Sequence, residues 1–162
     1  MLKVVSGGQT GVDRAALDVA AELGVPYGGW CPQGGWAEDM PDPPGVLAHY
    51  PDLRATPEQD PRQRTEWNVR DSDALLVVTD ANGLSVSKGT DFALACAARL
   101  GKPYLLVDID AEGAAKQAAA WLAALQRPLA LCIGGPRESE APGIYAKAKP
   151  FLLRALKHLV AR

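Results

Sequence analysis

The sequence predicts one α/β domain over residues 1–162, a three-layer sandwich with a mainly parallel sheet and helices on both faces. Three observations predict it. Short apolar runs alternate with helix-length amphipathic segments throughout the chain. The run Ala74–Thr79 is almost wholly apolar and β-branched, as a strand buried on both faces requires. No turn pair such as Asn-Gly joins two alternating runs, so hairpins are not indicated.

The first run, Leu2–Val5, stops at Ser6, and a helical pattern begins near Val12. Between them lie Ser6, Gly7, Gly8, Gln9, Thr10 and Gly11. Glycines let a backbone approach a ligand with its amides bare, and a following helix start adds the positive end of its dipole. This turn therefore suits a phosphate-like anion, unless it needs glycine on steric grounds alone. Arg14, one turn in, either clamps that anion or pairs with Asp18 at i+4. The turn is not a Walker A sequence, since no Gly-Lys-Ser/Thr ends it. Nor is it the dinucleotide fingerprint, because glycines 7, 8 and 11 miss that spacing.

The first helix ends at Gly24, with Pro26 beyond it, and Pro26–Trp30 reads as a short second strand. From Cys31 to Asp60 there is little periodicity, and seven of the 13 prolines fall between Pro32 and Pro61. A loop of this length is functional or mobile more often than inert. Gly29–Asp39, with the carboxylates Glu38 and Asp39, is its expected ordered half, and Thr56–Asp60 its solvated end. Asp60 and Pro61 suit the N-cap and first position of a helix that carries Arg62, Arg64, Thr65, Trp67, Asn68 and Arg70.

After Ala74–Thr79 comes a second glycine-containing loop, Asp80–Asp91, in which Lys88, Gly89 and Thr90 form an anion site at a helix start. Helix 90–100 stops at Gly101, and Pro103–Val107 reads as another buried strand. Ala114–Leu125 is a helix with Ala118, Trp121, Leu122 and Leu125 on its apolar side. Leu129–Ile133 is the last strand. A third loop, Gly134–Gly143, carries Arg137, Glu138 and Ser139, and a terminal helix with a kink near Pro150 follows. Right-handed crossovers place all three loops at one carboxyl edge of the sheet, where ligands of such folds bind.

Composition narrows the function. The 48% hydrophobic and 22% charged residues are ordinary for a globular chain, and the formal charge of −2 argues against broad non-specific nucleic-acid binding while leaving room for a local basic pocket. No apolar stretch approaches a membrane span, and Met1 to Val5 runs straight into the first strand, leaving no room for a signal peptide. Three scattered cysteines make no disulfide framework, so a reduced, cytoplasmic protein is expected. His49 and His158 have no ligand cluster around them, so no metal site is assigned. Cys31 reads as a small half-buried side chain in preference to a thiolate metal ligand. No nucleophilic triad is present and no catalytic residue is assigned.

Ser6–Asp18, Gly28–Gly34 with Ala37-Glu38-Asp39, Arg64-Thr65, Asn68–Ala74, Lys88-Gly89-Thr90 and Gly135–Ser139 together resemble the molybdenum cofactor carrier proteins. That family sits in a wider Rossmann-like group with the lysine-decarboxylase-like phosphoribohydrolases. Where those hydrolases resemble Pro-Gly-Gly-x-Gly-Thr-x-x-Glu, this chain keeps Gly89-Thr90 but has Ala93 in place of the glutamate. Hydrolysis would then need a carboxylate from elsewhere, such as Asp91 or Glu38. The resemblance implies a protein that binds, protects and stores or transfers the molybdenum cofactor, a phosphorylated molybdopterin. It places Ser6, Gly7, Gly8, Gln9, Thr10, Gly11, Arg14, Glu38, Arg64, Thr65, Asn68, Lys88, Gly89, Thr90, Arg137 and Ser139 in the binding site. It also implies a homo-oligomer, commonly a tetramer, with molybdoenzymes or cofactor-synthesis proteins as partners. A nucleotide sensor or nucleotide phosphoribohydrolase would use the same edge.

Overall fold

The computed structural model describes residues 1–81, 85 and 87–160. Asn82, Gly83, Leu84 and Val86 of the second loop lie outside the described residues. The strands are β1 (Leu2–Val5), β2 (Tyr27–Gly28), β3 (Trp30–Cys31), β4 (Arg54–Ala55), β5 (Ala74–Thr79), β6 (Tyr104–Asp108) and β7 (Leu129–Gly134). The helices are α1 (Val12–Leu23), α2 (Pro61–Arg70), α3 (Lys88–Arg99), α4 (Ala114–Ala124) and α5 (Ile144–Val160). Five strands form a wholly parallel sheet in the order β2-β1-β7-β5-β6, as the alternation of strands and helices predicts.

Counted as though the chain began at β7, that order runs third, second, first, fourth, fifth. This matches the first five strands of the dinucleotide-binding sheet, whose full order is 3-2-1-4-5-6. The fold is therefore a circular permutation of it, and the order reverses between β7 and β5. That reversal opens a crevice at their carboxyl ends.

Alternation along the strands divides the core. Val4, Leu76, Val78, Leu131 and Ile133 pack under α1, α4 and α5, whereas Val5, Leu75, Val77 and Cys132 face α2 and α3. All six residues of β5 are buried. By contrast β6 is an edge strand, with Tyr104 48% and Leu106 36% exposed, so its expected burial is corrected.

Three further expectations change. The single strand Pro26–Trp30 is two strands in different sheets, because Gly29 turns the chain at φ 129. A Cβ there would lie 2.4 Å from the Ser6 carbonyl oxygen. The long segment after Cys31 contains β4 paired to β3 and two single-turn helices, Gln33–Gly35 and Gly45–Ala48. Its Cys31, Ala37, Val46 and Leu53 are buried with Leu17, and Thr56 is buried rather than solvated. Finally, α3 begins at Lys88, two residues early. Asp60 does cap α2, its carboxylate accepting from the Arg62 amide at 3.0 Å. Among the described residues, no helix is long and apolar enough to cross a membrane.

Candidate functional site

Because every strand of the main sheet is parallel, the loops after β1, β5 and β7 gather at one edge. Two concavities open there. The first has a volume of about 340 Å³, within the size range of small-molecule sites. It reaches into the α2/α3 side of the sheet, over an apolar floor of Val69, Leu75, Val77, Phe92, Ala93 and Cys132. Its rim takes Gly7, Gln9 and Asp13 from the first turn and Arg64, Thr65 and Asn68 from α2. Lys88, Gly89 and Thr90 join from the start of α3, and Arg137 and Glu140 from the loop after β7.

The second, wider cleft, about 860 Å³, lies on the α1/α5 side. It takes Thr10, Gly11, Arg14, Glu38 and Ser139, together with Asp18, Asp39, Tyr50, Glu138 and Tyr145. The expected site residues therefore divide between two cavities, while Ser6 and Gly8 line neither. Gly8 faces the long segment instead, where a Cβ would meet Leu53 at 3.0 Å.

Several amides of the first turn are already taken within the chain. Ser6 Oγ accepts from the Gly8 amide and donates to the Asp13 carbonyl. The Gln9 amide donates to Asp13 Oδ2, the Thr10 amide to Gln9 Oε1, and the Val12 amide to the Pro136 carbonyl. Asp13 thus occupies, from within the chain, the place at the start of α1 where an external anion was expected. Arg64 lies against it, Nη1 to Oδ2 at 3.2 Å, with both side chains nearly buried. Burial pushes the Asp13 carboxyl up, against the pull of Arg64. An aspartate in a first helical turn reads equally as an ordinary complement to the dipole, which hides this role in the sequence.

Arg14 pairs with Asp39 at 2.9 Å and donates to the Gly8 carbonyl, not to Asp18. Asp18 instead accepts from the Tyr50 and Tyr145 hydroxyls. Asn68 lines the cavity, but its amide is committed to both backbone groups of Trp30, at 2.7 and 2.9 Å. Ser87 caps α3 by accepting from the Thr90 amide, leaving the Lys88 and Gly89 amides without helical partners. Neither Lys88 nor Arg137 forms an ion pair among the described residues, and the Arg137 guanidinium lies 5.6 Å from the Trp36 ring centre.

Of the two carboxylates considered for hydrolysis, neither Asp91 nor Glu38 lines the first cavity; Asp13 and Glu140 do. Cys31 is fully buried away from both cavities, and burial pushes its thiol up. Cys132, in the cavity floor, is pushed up to about 12, chiefly by burial.

Glu38 ties the long segment to the edge. Its carboxylate accepts from Thr10 Oγ1, from Ser139 Oγ at 2.6 Å and from the Ser139 amide. Partial burial works to raise its carboxyl, but the hydrogen bonds from Ser139 and Thr10 outweigh it and hold the group below its ordinary 4.5. Glu38 therefore lends stability that is complete above that value and is lost as the pH falls through the lower folded one. Glu38→Gln is expected to melt at lower temperature near neutrality and to lose less on acidification. Thermal melts across the acid range check this; parallel curves for the two proteins would refute it.

Residues 4–156 match the circularly permutated YpsA SLOG family. The fold is similar to the 1.45 Å crystal structure of a putative molybdenum carrier protein from Syntrophus aciditrophicus SB. The two are 35% identical with a TM-score of 0.80, over 95% of this chain and 94% of the other. No curated protein matches.

Proposed function

From its place in the circularly permutated YpsA SLOG family, to which this chain belongs, we propose that the protein is a carrier that binds the molybdenum cofactor in the first cavity. One observation carries the reading. Lys88, Arg137, Arg64 and the start of α3 converge on the rim of a cavity whose floor is apolar. Such an arrangement suits a ligand with a flat ring and a phosphate: the floor takes the ring, and the cations and helix amides take the phosphate. The name of the Syntrophus protein supports the same class of ligand. Binding protects the cofactor until it passes to a molybdoenzyme, and no residue is given a catalytic role.

The test is an anaerobic titration with the cofactor, with AMP and inosine monophosphate as competitors and their turnover followed in the same samples. Saturable binding that slows cofactor decay, without nucleotide cleavage, is expected. Tight nucleotide binding or base release without cofactor protection would replace the carrier with a nucleotide enzyme or sensor.

Gly89 gives an independent check. It sits in the first turn of α3, and a Cβ there would meet nothing within 4 Å among the described residues. Gly89→Ala is expected to stabilise the free protein by about 0.5–1 kcal/mol, through a less flexible unfolded chain. The same methyl group would obstruct a phosphate approaching the backbone and weaken cofactor binding roughly tenfold, as loss of one hydrogen bond to a charged group does. Chemical unfolding and titration measure the two effects. A stabilised variant with undiminished affinity would remove the start of α3 from the site.

A further inference from the structure

Gln9 is 97% buried on the rim of the first cavity. Its Oε1 accepts from two backbone amides, Thr10 and Glu38, both at 3.0 Å. Turning the carboxamide over would set its NH2 against those two donors, so the orientation is fixed. Nε2 is then left as the one buried side-chain polar atom without a partner among the described residues. Buried amides are rarely left unmatched in a folded chain, and one beside a cavity points to an acceptor supplied from outside.

Arg64 repeats the pattern. Its Nε donates to the Pro61 carbonyl and its Nη1 to Asp13, while Nη2 makes no hydrogen bond among the described residues. The guanidinium lies across the bare backbone of Gly7, where a Cβ would come within 2.1 Å of Nη1. The Gln9 backbone N–H and Arg64 Nη1 meet on a single oxygen, Asp13 Oδ2, at 3.4 and 3.2 Å. Each side chain is thus anchored through one set of atoms, with another donor unused.

We infer that Gln9 and Arg64 form a two-donor subsite, positioned by Asp13, for an acceptor oxygen of the ligand, either a phosphate oxygen or a ring carbonyl. This deepens the proposed reading of the same cavity by stating which groups read the ligand and what they require of it. Asp13 holds the Arg64 guanidinium and the Gln9 backbone, while the Thr10 and Glu38 amides fix the Gln9 carboxamide.

Gln9→Glu isolates the cavity-facing atom. One carboxylate oxygen still accepts from Thr10 and Glu38, while the donor becomes an acceptor. Arg64→Lys keeps a cation beside Asp13 but removes Nη2, and carries the test if Gln9→Glu does not fold. Both variants and the parent are titrated calorimetrically with inorganic phosphate and with 6-hydroxymethylpterin, which has a ring carbonyl and no phosphate. The expected result is that at least one probe binds the parent and binds both variants about 10- to 100-fold more weakly. The probe affected identifies the source of the oxygen. Parent-like affinities in both variants would overturn the inference. So would a parent that binds neither probe, since Gln9 Nε2 would then hold only water. Gln9-dependent phosphate binding without cofactor binding would reject the carrier and keep the subsite.

Discussion

Arg64→Ala is expected to unfold about 3 kcal/mol more easily than the parent near neutral pH, the cost of leaving a buried charge without its partner. Asp13 and Arg64 have side chains only 12% and 10% exposed, so solvent does little to screen the loss. The pH dependence should identify the cause. Burial already holds the Asp13 carboxyl above its ordinary 3.8 in the folded chain. The folded protein therefore binds that proton more tightly than the unfolded one. Stability falls as the pH rises from the ordinary value through the raised one.

Arg64 limits this fall, and without it the window extends upward. The deficit of Arg64→Ala should accordingly be small in acid and grow toward neutrality. Asp13→Asn in the Arg64→Ala background should recover part of the stability by removing the charge. Urea unfolding across this pH range is the measurement. A deficit independent of pH would mean that Arg64 contributes packing alone.

Much of the sheet was legible because its strands are long enough to have a period. Ala74–Thr79 is six residues of unbroken apolar character, and it is the fully buried β5. Trp30–Cys31 and Arg54–Ala55 are two residues each, too short for any periodic signal, and they become strands only by pairing with each other. Tyr104–Asp108 carries the same apolar composition whether central or at an edge, and only strand order exposes Tyr104. At the site, alternation sufficed to bring three loops to one edge. What alternation could not give is the direction of each side chain within a tight turn. Gln9 and Thr10 are neighbours in sequence yet line different cavities. That Ser6 and Asp13 take the Gly8 and Gln9 amides was equally hidden, since both residues are ordinary choices at a helix start.

The junction of the first and third loops sets the second large effect, and it falls on one glycine. Gly11 has φ 77 and ψ −130, a conformation that L residues rarely adopt. A Cβ there would lie 2.3 Å from the Pro136 carbonyl oxygen and 2.9 Å from both the Arg137 carbonyl carbon and the Glu138 amide. All three obstacles are backbone, so no side-chain rotation relieves the clash. Backbone strain of about 1–3 kcal/mol and overpacking of a similar size give an expected loss of about 3 kcal/mol for Gly11→Ala.

The damage should reach function as well, because two hydrogen bonds cross this junction: Val12 to Pro136 at 3.3 Å and Glu138 to Thr10 at 3.1 Å. Separating the loops would move Arg137 away from Gln9 and widen the cavity rim. Gly24→Ala is the control, since Gly24 has φ 67 but open space around it. It should cost about 1 kcal/mol, the strain of the left-handed conformation without a clash. Chemical unfolding of both variants, with cofactor titration of whichever remains folded, separates the two contributions. Equal losses at Gly11 and Gly24 would show that the third loop yields to the added methyl group, and that the edge does not depend on close contact between the two turns.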